Sequence, residues 1–152
     1  MKKNKLVKLV KKLRGETGAG VIVCKKALEE TKGNYQKAKK LVKKKGLAEA
    51  EEKTSRATKE GYVATYTHAT GKVGVIIELL CETDFVARNL DFQKLGRELC
   101  LQIAAMRPKN VKILLGQDYI REPGKKVDQL LKEAIAKFGE NIKIGSFKRI
   151  QI

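Results

Sequence analysis

Two hydrophobic rhythms divide the chain. Leu6, Leu9, Val10 and Leu13 recur at steps of three and four, which is the stripe of one amphipathic helix, with Asn4 the expected N-cap. Gly15 and the run Thr17-Gly18-Ala19-Gly20 interrupt it. A second stripe, Val21, Cys24, Ala27 and Leu28, is closed by Gly33, in the position a left-handed C-cap requires. Asn34 then caps a third helix with the face Tyr35, Ala38, Leu41 and Val42, expected to end at Gly46. The pattern predicts a compact three-helix unit over residues 1–46. Residues 47–60 carry almost no large apolar side chain and read as a solvated helical linker.

From Gly61 the period falls to two. Tyr62-Val63-Ala64-Thr65-Tyr66-Thr67-His68 is aromatic and β-branched and predicts a strand; Ala69-Thr70-Gly71-Lys72 turns it, and Val73–Leu80 returns as the partner of a hairpin. Helical spacing resumes from about Asp91 to Met106, with Phe92, Leu95, Leu99 and Ile103 on one stripe, and stops before Pro108. Val127, Leu130, Leu131, Ala134, Ile135 and Phe138 form another stripe, closed by Gly139, and Ile142-Lys143-Ile144 alternates again as a third strand. The fold class expected for residues 61–152 is α+β, an antiparallel three-stranded sheet packed with helices.

Two places break the inside/outside rule. Between the second strand and the next helix lies Cys81-Glu82-Thr83-Asp84-Phe85-Val86-Ala87-Arg88. Thr83 and Asp84 suit a helix start, because their oxygens can accept free backbone N–H groups. Phe85 and Val86 then follow at an exposed first turn, where large apolar side chains either fold back onto the core or wait for a partner. The second place is Val21-Ile22-Val23: a helix facing one small core cannot bury three consecutive aliphatics, and Ile22 is expected to face outward.

Charge sharpens the division. The 152 residues carry a net charge of +17. Residues 1–60 hold 19 Lys and Arg against 7 Asp and Glu, and residues 61–152 hold 15 against 10. The excess on the helical part favours an acidic partner, either RNA or an acidic protein surface. No apolar run approaches the ~20 residues of a membrane helix, and the Lys-rich start lacks the continuous apolar region of a signal peptide. Three widely spaced cysteines, Cys24, Cys81 and Cys100, make a poor disulfide framework and suggest buried, reduced thiols in a cytoplasmic protein.

Catalytic chemistry finds little support. No Walker A, dinucleotide-binding or kinase pattern is present, and Thr17-Gly18-Ala19-Gly20 neither follows a strand nor continues into Gly-Lys-Ser/Thr. The single His68 has no Ser or Cys partner at a usable spacing, and no metal-ligand spacing occurs. Glu78 and Glu82 flank a strand end with nothing assembled around them. The expectation is a binding protein without cofactor, metal or catalytic residues.

The chain resembles the elongation factor Ts family. The resemblance is carried by Leu13-Arg14-Gly15-Glu16-Thr17-Gly18-Ala19-Gly20 with Cys24-Lys25-Lys26-Ala27-Leu28, and by Gly74-Val75-Ile76-Ile77-Glu78 with Cys81–Arg88. Gln102-Ile103-Ala104-Ala105-Met106 with Pro108, and Gly139-Glu140-Asn141-Ile142, match in family order. It implies a ubiquitin-associated-like helical domain, a linker and a single α+β core, in a short form whose chains pair as homodimers. It implies a guanine-nucleotide exchange factor that binds elongation factor Tu. Thr83, Asp84, Phe85 and Val86 would act near the Mg²⁺ of that GTPase; Arg14, Val21 and Ile22 would make a second contact. The chain departs from the family where Val21-Ile22-Val23 replaces Met-Met-Asp, Leu80 replaces Asn, and Gly145-Ser146 replaces a pair of arginines. One other class stays open on composition, a basic RNA-binding module, which would want aromatics interleaved with basic residues on a sheet face; a third, a ubiquitin-binding adaptor, rests on the fold analogy of the first domain alone. No specific nucleic acid and no membrane partner are expected.

Overall fold

The computed structural model describes residues 3–152; the first two residues of the expected helical domain lie outside that range. Three helices come first, α1 (Lys3–Thr17), α2 (Val21–Glu30) and α3 (Tyr35–Lys53). Their small core is Val10, Leu13, Cys24, Ala27, Leu28, Ala38 and Val42. α2 ends where Gly33 enters the left-handed region (φ 79°) and its N–H donates to Leu28 O at 2.7 Å. Asn34 caps α3 by accepting the Lys37 N–H at 3.0 Å.

Two expectations fail in this part. Asn4 lies inside the first turn of α1 and is not its cap. Gly46 does not end α3, which runs on to Lys53 through most of the stretch read as a linker. The reason is close approach: a Cβ at Gly46 would lie 3.1 Å from Ala136 Cβ, so the glycine lets α3 lie against the later helix α7 (Val127–Phe138). Ala50, one turn on, is fully buried in the second core.

That second core is built on the sheet. Strands β1 (Glu60–Thr67), β2 (Val73–Cys81) and β3 (Lys143–Gln151) are antiparallel in the order β1-β2-β3. Alternation sends Tyr62, Ala64, Tyr66, Val75, Ile77, Leu79 and Ile144 inward. Against them pack Phe92, Leu99 and Ile103 of α5 (Leu90–Met106), Leu114 of the short α6 (Val111–Gly116), and Leu131 and Ile135 of α7. Phe92 and Phe138 meet edge to face at 5.9 Å. α5 crosses β1 at Gly96, where a Cβ would come within 2.8 Å of Ala64 Cβ. The fold is α+β, as the periodicity implies.

β3 extends well past the expected Ile144. Its register against β2 shifts between Ile77 and Leu79, where Gly145 and Ser146 together oppose Glu78. A Cβ at Gly145 would meet a Glu78 carboxylate oxygen at 2.8 Å, and Ser146 donates its hydroxyl to that carboxylate. The bulge accounts for glycine and serine at this place. The outward face of the sheet carries Val63, Ile76 and Ile150, all exposed, with no layer over them among the described residues. No described helix is long and apolar enough to cross a membrane.

Candidate functional site

β2 delivers the chain to Cys81, which is buried; burial first, and the Glu140 charge second, push its thiol up to about 11. Glu82 follows, then Thr83 in extended conformation (φ −125°), and α4 (Asp84–Ala87) makes a single turn. Thr83 is the N-cap, its hydroxyl accepting the Val86 N–H at 3.4 Å. Val86 and Ala87 point into the core, and Val86 is 6% exposed. Thr83, Asp84 and Phe85 face the other way, and Phe85 is 82% exposed. Leaving a phenylalanine in water forgoes roughly 1.5–3 kcal/mol of burial.

Phe85 and Val86, which the sequence treats as a pair, therefore divide. Val86 folds back and anchors the turn; it is not on the surface beside Phe85. A second exposed apolar side chain follows on the same stretch, Leu90, the first residue of α5. The sequence signal for Leu90 is its place off the Phe92–Leu95–Leu99–Ile103 stripe. Asp84 pairs with Arg88 at 2.9 Å, but both side chains are largely exposed, so the pair adds little to stability.

The turn is held from outside its own sequence. The Glu140 carboxylate accepts the N–H groups of Glu82 and Thr83, each at 3.0 Å, and the Thr83 hydroxyl at 2.6 Å. Glu82 in return accepts the Asn141 N–H at 2.7 Å and lies 3.6 Å from Arg56. Asn141, buried, donates from Nδ2 to Thr54 O at 3.2 Å and Arg56 O at 2.7 Å, on the chain that leaves α3. No local pattern announces this clamp, because Glu140 is 57 residues from Thr83. Glu78 and Glu82 are not a carboxylate pair, since one serves the β3 bulge and the other the clamp.

The second expected region sits at the α1–α2 turn. Val21 and Ile22 open α2 and are 50% and 70% exposed. Arg14, at the end of α1, is exposed and makes no ion pair among the described residues. Gly20 is the N-cap of α2 and supplies no side-chain cap. Behind the turn, Gly18 (φ 71°) lies on the Lys137 stem, where a Cβ would be 2.8 Å from Lys137 Cγ. His68 stands apart from both regions, exposed, with the Tyr66 hydroxyl 3.0 Å from Nδ1. No group of three or more described His, Cys, Asp or Glu residues could hold a metal ion.

The family model described as Elongation factor TS matches residues 82–152. Over 95% of its length the chain is 41% identical to elongation factor Ts of Thermotoga neapolitana, of which 95% is covered. It is 42% identical to elongation factor Ts of Leptospira biflexa, with 94% of this chain and 95% of that protein covered. The figure for Coprothermobacter proteolyticus elongation factor Ts is 41%, with 93% and 94% covered. The chain belongs to the elongation factor Ts family. Within the stretch matched by the elongation factor Ts model lie both halves of the clamp, Glu82–Thr83 and Glu140–Asn141. The Thermotoga alignment runs to 187 positions against 152 residues here, so that elongation factor Ts carries residues with no counterpart in this chain.

Proposed function

We propose that this chain is a guanine-nucleotide exchange factor for elongation factor Tu, without catalytic residues of its own, acting in the cytoplasm. The observation that carries the reading is an aromatic side chain, Phe85, 82% exposed on a turn capped at one end and buried at the other. A rigid aromatic brings a large area to an interface at little entropic cost. Bound GDP depends on a phosphate loop and a Mg²⁺ that neutralises the phosphates. Phe85 enters between elements of the GTPase, Asp84 disturbs the groups around the Mg²⁺, Thr83 aims both, and Val86 anchors the turn. Arg14, Val21 and Ile22 make the second contact. A factor that prefers the nucleotide-free GTPase weakens nucleotide binding by the same factor.

The helical unit of residues 1–46 and the core of residues 61–152 thus act as two contact regions joined through residues 47–60. Two chains pair through the outward face of the sheet, where Val63, Ile76 and Ile150 are exposed; light scattering is expected to give twice the 17.0 kDa chain mass, and a monomer mass at micromolar concentration overturns the pairing. The same face counts against the RNA reading, since Tyr62, Tyr66 and Phe147 turn toward the core and leave no ring outside for base stacking. The decisive experiment is release of GDP from elongation factor Tu, with and without this protein, across Mg²⁺ concentrations. Release is expected to accelerate, most strongly where Mg²⁺ is high; an unchanged rate overturns the proposal.

A further inference from the structure

Lys137, Glu140 and Asn141, at the end of α7 and just beyond it, reach both contact regions. Lys137 carries Gly18 of the α1–α2 turn on its stem, and its Nζ donates to Asp91 at 2.8 Å, in the first turn of α5. Three residues on, Glu140 holds Glu82 and Thr83, and Asn141 holds Glu82 and the two carbonyls beyond α3. Gly139, with φ 74°, stops α7 between these two sets of contacts.

We propose that Lys137–Asn141 is a positioning element that fixes the two contact regions relative to one another, with Glu140 the positioning residue for Asp84 and Phe85. The proposal rests on the exchange reading above. α4 has four residues, too few to hold a helical turn unaided, so its geometry must be imposed by its surroundings. Val86 and Ala87 fix its inner side. Its start is fixed by Thr83, whose hydroxyl accepts from Val86 and donates to Glu140; the short bond to Glu140 (2.6 Å, against 3.4 Å from Val86) sets the rotamer that makes the cap. A carboxylate taking three donors is a strong, directional support. Glu140 touches Asp84 and Phe85 in none of these bonds and acts through Thr83.

The test follows release of a fluorescent GDP analogue from elongation factor Tu in stopped flow, as the concentration of factor is raised, for wild type, Glu140→Ala, Glu140→Gln, Phe85→Ala and the Glu140→Ala/Phe85→Ala double variant. Glu140→Ala is expected to lower the maximal release rate about tenfold, less than loss of the Phe85 ring itself, because the aromatic remains but is no longer held in place. The half-saturating concentration is expected to stay within about twofold, the scale of a rim contact. Glu140→Gln, which keeps one acceptor oxygen, recovers part of the rate. On the Phe85→Ala background Glu140→Ala costs nothing further, whereas a general loss of stability would multiply with it. Amide exchange on the free protein is the second readout, and Glu82, Thr83 and Val86 lose protection in Glu140→Ala. Wild type that leaves GDP release unchanged overturns the exchange reading. Wild type that accelerates release, with Glu140→Ala equal to it or with a loss that multiplies with Phe85→Ala, overturns the positioning role. Unchanged amide protection at Glu82, Thr83 and Val86 overturns it independently of the GTPase.

Discussion

Two helix starts in this molecule expose large apolar side chains, and they are built differently. At α4 the cap is a threonine hydroxyl, the following residues are buried, and a distant carboxylate holds the entry. At α2 the cap is Gly20, which contributes no side chain, and the turn before it packs at Gly18 on the Lys137 stem. The first start holds Phe85 through a cap and a distant carboxylate; the second presents Val21 and Ile22 with no side-chain cap and, among the described residues, no carboxylate behind them. A rigid projection suits a part that deforms its partner, because deformation needs a support that does not yield. Two exposed aliphatics on a helix start without such a support suit a part that only holds on. The first should govern how fast GDP leaves and the second how tightly the factor binds.

The largest effect should come from Phe85→Ala, which lowers the maximal rate of GDP release about a hundredfold, the scale of losing an interface aromatic. Circular dichroism and the thermal midpoint should stay as in wild type, because Phe85 touches little of the core. Next, Val21→Ala with Ile22→Ala should raise the half-saturating concentration about tenfold and leave the maximal rate unchanged. The comparison breaks if these two variants shift the same parameter.

Smaller effects separate the two caps. Thr83→Ala removes a cap and a Glu140 partner and should cost about 1 kcal/mol in denaturant unfolding. Gly20→Ala, with φ −61° and no atom within 4 Å of the new Cβ, should stay within about 0.5 kcal/mol. The smallest effect concerns Asp91, whose carboxyl is held below its ordinary value of 3.8, first by the Lys137 hydrogen bond and then by the charge of Lys137. A carboxylate with a lowered folded pKa stabilises above its ordinary value and loses that contribution as pH falls through the folded one. Asp91→Asn should therefore lower the thermal midpoint slightly at pH 7, and the difference from wild type should fade as pH falls below the ordinary carboxylate value of 3.8. A difference that persists in acid would assign the effect to packing.

Local chemistry made much of this legible. The hairpin, the α5 and α7 stripes, the Gly33 and Gly139 stops and the Thr83 cap each follow from residues within a few positions of one another. What stayed hidden depends on distant partners. Gly46 reads as a stop until Ala136 is beside it, and Ala50 reads as a linker residue until the second core surrounds it. Gly145 and Ser146 interrupt the alternation of β3 because Glu78 lies across from them. α6, six residues long, is too short to show a period. At the site, Phe85 was identifiable as misplaced and Ile22 as outward-facing, but the inward turn of Val86 and the role of Glu140 exist only in the folded chain.

One feature of α3 carries into folding. Its first half holds Ala38 and Val42 in the small helical core, and its second half puts Ala50 into the core under the sheet. A single hydrogen-bonded rod thus belongs to two cooperative units. Local openings that release α1 leave the far half of α3 closed, and only opening of the larger core exposes it. Along this one helix, amide protection should rise from Ala38 toward Ala50, a gradient that tracks the burial supplied by α7 and the larger core and not the helix propensity of the sequence.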